Sequence, residues 1–72
     1  MTNFNYNKLK GRIVEYGRTQ GDLAQLLGLH KSTISSKFNN TSDFTSSEML
    51  YIMEWLDIPK EEVGDYFFTQ KS

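Results

Sequence analysis

The stretch Thr19–Asn40, TQGDLAQLLGLHKSTISSKFNN, decides the fold. It reads as two short helices joined by a tight turn. Leu23, Ala24, Leu26 and Leu27 recur at i, i+1, i+3 and i+4 and form the apolar side of the first helix. Thr19, with Asp22 three residues on, is a capping-box-like start in which Asp replaces the usual Glu or Gln. Gly28 stands where that helix must stop, because glycine tolerates the left-handed conformation that ends many helices. A second helix follows, about Lys31 to Asn39, with Ile34 and Phe38 at i and i+4.

Two helices that cross steeply need a small residue at their closest approach, a quick turn, and an apolar residue on the second helix pointing back. Ala24, Gly28 and Ile34 supply these in order and, with Leu23, form the expected motif core. With Ile34 inward, helical geometry turns Ser32, Ser36 and Asn39 outward, with Ser35 on the flank. Lys31 lies at the helix start, where its side chain can project past the end. This is a helix-turn-helix, whose second helix enters the DNA major groove with its N-terminal residues leading.

The frame Gln20, Ala24, Gly28, Ile34 resembles that of the phage-repressor-like helix-turn-helix family, which includes the lambda-type repressors and Cro proteins. The resemblance runs over nearly the whole chain. The Thr19–Asn40 stretch and the ending IPKEEVGDYFF, residues 58–68, are similar to the small Cro-like switch proteins of temperate phages of Gram-positive bacteria, including the modulator-of-repression type. That resemblance implies a lambda repressor-like DNA-binding domain and a role in the choice between lytic and lysogenic growth. It implies that Gln20 contacts phosphate and supports the groove-facing helix. Lys31 and Ser32 then approach base edges, with His30, Ser35 and Ser36 as further candidates. Asn39 matches a phosphate-contacting position, and Asn40 lies beside it.

Length and composition set the bounds. Seventy-two residues make one small domain, residues 1–72. A chain of this size buries only about 60% of its unfolded surface. It has no cysteine, so no disulfide or thiolate metal site can staple it. No apolar run approaches the roughly 20 residues of a membrane span. The opening MTNFNYNK lacks the apolar core of a signal peptide. The expectation is a cytoplasmic protein of the bacterial host, with no membrane partner.

The formal net charge is −1, unusual for a DNA-binding domain, and it is unevenly spread. Residues 1–40 carry six basic against two acidic side chains; residues 41–72 carry two lysines against seven acids. Two different surfaces, or ordinary solvated helix faces, both follow from such asymmetry.

The remaining elements read as helices. The first runs from Asn5 or Tyr6 to Tyr16, with Leu9, Ile13 and Tyr16 inward, Val14 beside Ile13, and Gly17 at its end. Gly11 inside it costs about 1 kcal/mol relative to Ala, and is read as permitting close packing. Phe4 is expected to fold back onto the core. Asn39–Asp43 is a loop by composition, and Thr45-x-x-Glu48 is a capping box. A helix over Ser46–Leu56 follows, with Met49, Leu50, Met53 and Leu56 inward and Ile52 adjacent. Pro59 starts a short fifth helix to Tyr66 with Val63 inward. Tyr66-Phe67-Phe68 closes the core or, alternatively, forms an exposed patch; Thr69 to Ser72 is expected to fray. The fold class is all-α, four to five short helices around one core.

An enzyme is not expected. The chain has one histidine, no glycine-rich phosphate loop, and carboxylates on faces predicted to be exposed. No catalytic residue, metal or cofactor is assigned. Bidentate base readout needs Arg, Lys, Asn or Gln, whereas the second motif helix offers Ser32, Thr33, Ser35 and Ser36 with only Lys31 and His30 reaching further. Two functions therefore stand side by side. One is a Cro-like regulator binding double-stranded operator DNA. The other is an antirepressor that binds the phage repressor protein through the acidic second half, with Tyr51, Trp55 and Tyr66–Phe68 as anchors. Monomer, homodimer and heterodimer are all compatible with the sequence.

Overall fold

The computed structural model describes residues 3–70, and within them the chain is all helical. The α-helices are α1 (Asn7–Glu15), α2 (Gln20–Leu27), α3 (Lys31–Phe38), α4 (Ser46–Trp55) and α5 (Val63–Phe67), the last preceded by a 3-10 turn, Lys60–Glu62. The helix starts follow the sequence closely. Thr19 and Thr45 each cap a helix through reciprocal bonds with Asp22 and Glu48, so Asp does the work of the usual Glu in α2.

The first four helices all end the same way. Gly17, Gly28, Asn40 and Asp57 adopt left-handed φ values of 68°, 67°, 63° and 52°. In each case the next N–H reaches back five residues: Arg18 to Ile13, Leu29 to Ala24, Thr41 to Ser36 and Ile58 to Met53, at 2.8–3.0 Å. These are Schellman ends, which satisfy carbonyls that the helix leaves open. The two glycines were predictable stops. Asn40 and Asp57 carry side chains into a conformation that non-glycine residues seldom take, and tertiary bonds hold both.

The core gathers side chains from every helix. Leu9, Ile13, Leu23, Ile34, Ile52, Leu56 and Phe67 are fully buried, and Ala24 joins them. Rings from three separate segments close one end. Tyr6, Phe38 and Phe44 meet edge to face with centroids 5.4–5.7 Å apart, and Phe67 stacks edge-on against Phe44 at 5.5 Å. Phe4 packs back as expected, its ring against Phe68, and Asn5 N–H donates to the Thr69 carbonyl at 2.7 Å.

Several expectations are corrected. Leu50 is exposed and Ile52 is buried, so the inward stripe of α4 is Met49, Ile52, Met53 and Leu56, the i, i+3, i+4, i+7 set; Leu50 sits one residue round the helix from it. Leu26 likewise faces outward, because Leu23, Ala24 and Leu27 fill the inward arc of α2. Gly11 packs against nothing: a Cβ there would meet no atom within 4 Å. Helix α5 is Val63–Phe67, since the chain after Pro59 first makes a 3-10 turn. Tyr66 and Phe67 close the core, while Phe68 stays half exposed. Thr69 and Gln70 are tied to the N-terminal segment through Asn5 and Phe4 instead of fraying, and residues 71 and 72 lie outside the described residues.

Two substitutions test this arrangement. Gly11→Ala should stabilise the chain by about 0.5–1 kcal/mol, because it removes backbone entropy at an open helical position. Ala24→Leu should cost about 1–3 kcal/mol by overpacking. In thermal melts followed by circular dichroism, each kcal/mol should move the midpoint by about 4–8 °C for a domain of this size.

Candidate recognition surface

Helix α3 divides its residues sharply. Ile34, Lys37 and Phe38 are buried; His30, Lys31, Ser32, Ser35 and Asn39 are exposed; Thr33, Ser36 and Asn40 lie between. Three residues, Gly28–His30, link it to α2. His30 precedes α3 in extended conformation and its side chain caps nothing. The Lys31 stem lies over the first turn of α2, where a Cβ on Gly21 would stand 3.2 Å from its Cε. Lys31 is therefore beside the turn that carries Gln20, itself half-buried. At the other end of α3, Asn39 shares a shallow groove with Asn5, Asn7 and Lys10, and the Lys10 ammonium sits 5.4 Å from the Phe38 ring centre.

Asn40 is used differently from its neighbours. Its side-chain oxygen accepts from the Phe4 N–H at 2.8 Å, and its amide donates to the Phe4 carbonyl at 2.9 Å. Both halves of the amide are committed to holding the N-terminal segment. Lys10 was not among the sequence-derived candidates. It belongs to α1, and only the packing of α1 beside the end of α3 brings it to this face.

Half of the basic side chains of the first half, Arg12, Arg18 and Lys37, are spent inside the fold. Arg12 donates to the Leu56 and Asp57 carbonyls at 3.0 Å, and Arg18 donates to the Trp55 carbonyl while lying 4.5 Å from the Trp55 ring. Two guanidinium groups thus close the C-terminal end of α4, where the helix dipole favours cations. Lys37 is 6% exposed; its ammonium donates to the Asp43 carbonyl at 2.7 Å and pairs with Glu48 at 3.1 Å. Lys8 lies 3.8 Å from Asp65. Lys10 and Lys31 remain as cations flanking α3, with no ion pair among the described residues.

The Lys37–Glu48 pair ties the end of α3 to the start of α4. Burial pushes the Glu48 carboxyl up, but the Thr45 N–H bond and the Lys37 ammonium outweigh it and hold the group below its ordinary range. Of the aromatic anchors expected in the second half, Tyr66 and Phe67 are core and Trp55 is half-buried beneath Arg18; Tyr51 and Phe68 are open to solvent. Among the described residues no three His, Cys, Asp or Glu side chains stand together as a metal site, and no helix is long and apolar enough to cross a membrane.

Residues 1–70 match the family described as "Protein of unknown function (DUF739)". The chain belongs to this family. Its fold is also similar to the solution structure of the modulator of repression (MOR) of the temperate bacteriophage TP901-1 from Lactococcus lactis. That match has a TM-score of 0.75 and 31% identity, covering 90% of this chain and 88% of the other. No curated protein matches the chain. Among the features of this DUF739 chain, the paired capping boxes and the Gly28 turn were legible in sequence, whereas the buried Lys37 was not. Nothing in SSKF distinguishes Lys37 from a surface lysine until Glu48 and Asp43 are folded against it.

The ion pair makes a pH prediction. A carboxyl whose folded pKa is depressed stabilises the fold above its unfolded value and loses that contribution as pH falls through the folded one. Stability should therefore decline below about pH 4.3, the ordinary glutamate value. Lys37→Met should cost about 1–3 kcal/mol near neutral pH, as for an unpaired buried polar group, and should flatten the acid limb. Urea denaturation at pH 7 and pH 3 measures both.

Proposed function

We propose that this chain is a non-enzymatic regulator of the lysis–lysogeny switch of a temperate phage, working in the bacterial cytoplasm by binding the phage repressor protein. The observation that carries the reading is the likeness to the TP901-1 modulator of repression, at 31% identity over 90% of the chain. The distribution of charge supports it. With Arg12, Arg18 and Lys37 used internally, the molecule has little basic surface with which to capture DNA alone.

A second reading, direct operator binding, is favoured by one feature. Lys31, Ser32 and Ser35 form an exposed face on α3, with Lys10 beyond its far end. Gln20, His30, Ser36 and Asn39 are the further contacts of that reading. Short hydroxyls at the base-facing positions give little discrimination, so the specificity of the chain by itself is modest and a repressor partner would supply the rest.

Titration calorimetry with the DNA-binding domain of the repressor from the same phage should show a complex at micromolar concentration or below. No heat at tens of micromolar, a weak regime on the affinity scale, overturns the first reading. For the second, two cations per chain at the phosphates give an expected slope of log K against log salt of about −2, with weaker binding by Lys31→Ala. Equal and negligible affinity for operator and scrambled DNA removes it.

A further inference from the structure

Leu50 and Tyr51 are neighbours on α4, and they stand 49% and 58% exposed. The other exposed large hydrophobics, Val14, Leu26 and Phe68, fall one each on α1, α2 and the C-terminal segment. Leu50 and Tyr51 line an open groove of about 590 Å³ together with Ile58, Glu54 and Asp57, with Lys60 also on its wall. Glu54 makes no ion pair among the described residues. Among the described residues the Asp57 carboxylate accepts only the Tyr16 hydroxyl, at 3.2 Å. The groove thus sets apolar Leu50, Tyr51 and Ile58 beside two carboxylates and one lysine.

We infer that this α4 groove, and not the α3 face, seats the repressor, and that it takes a basic amphipathic segment of the repressor's DNA-binding domain. The inference rests on the repressor-binding reading above. A domain built to meet phosphates presents Lys and Arg on its working face, and the Glu54 and Asp57 carboxylates beside apolar anchors complement that face. Leu50 and Glu54 stand one turn apart on α4, at i and i+4, and Asp57 follows just beyond the end of the helix. The matching segment therefore carries an apolar anchor with Lys or Arg one to two turns along the same side. Tyr51 offers a rigid aromatic body of the kind enriched among binding hot spots. The α3 face has the wrong sign for this partner, because its flanking charges are Lys10 and Lys31. In a complex seated on α4, Lys31 and Ser32 stay uncovered.

The test is calorimetric titration of the full chain with the repressor's DNA-binding domain. The variants are Leu50→Ser, Tyr51→Ala, Glu54→Lys, and, on the other face, Lys31→Ala and Ser32→Ala. All five positions are exposed, and circular dichroism verifies that each variant folds. Tyr51→Ala and Glu54→Lys should each weaken binding at least tenfold, with Lys31→Ala and Ser32→Ala within twofold of the parent. Loss of binding on the α3 substitutions with α4 variants unaffected would move the partner to α3 and overturn the inference while leaving the proposed function standing. No binding by the parent chain would overturn both. A homodimer dispersed by Leu50→Ser would give the groove to a second copy and overturn the repressor as its occupant.

Discussion

Three rings hold the molecule together at its least regular place. Tyr6 comes from the segment before α1, Phe38 from the end of α3 and Phe44 from the polar loop before α4, and each touches the other two edge to face. Around them lie the Asn40 amide gripping Phe4 and the Lys37 ammonium gripping Glu48 and the Asp43 carbonyl. A loop of composition NNTSD would otherwise be mobile, since it has few apolar groups of its own. Phe44 anchors it, and the anchored loop fixes where α4 starts relative to α3.

The same economy governs the charges. A domain of this size has few side chains to spare, so its arginines do structural work. Arg12 and Arg18 satisfy carbonyls at the end of α4 that no backbone donor reaches. They cross from α1 and its following turn to do so, which locks the first helix to the fourth. The consequence for function is subtractive. A sequence half with six cations presents few of them to a distant polyanion, and the surface left over is mixed: cationic at the flanks of α3, acidic and apolar on α4.

That division gives physical content to the likeness with a modulator of repression. A regulator that acts through a DNA-binding protein needs a surface complementary to a basic face and gains little from a strong positive field of its own. Glu54 and Asp57 beside Leu50 and Tyr51 have that character. The α3 face differs from it, with short hydroxyls between two lysines.

The sequence by itself determined the local grammar of this protein. Apolar spacing placed the first four helices within a residue or two, Thr19 and Thr45 marked two starts, and Gly17 and Gly28 marked two stops, because caps and periodicity are encoded within a few neighbouring residues. It also pointed to Ala24 and Ile34 as core. Only the tertiary structure decided which way Leu26 and Leu50 face, because a helix rotated by one residue leaves the pattern of Leu and Met almost equally apolar. Only the fold drew Lys37 inside, committed Asn40 to Phe4 and brought Lys10 to the end of α3, since each depends on a partner supplied by a distant segment. The candidate surfaces were legible as residues and not as surfaces. Exposure and net charge at a face are sums over contacts between segments, and no local window of the chain contains them.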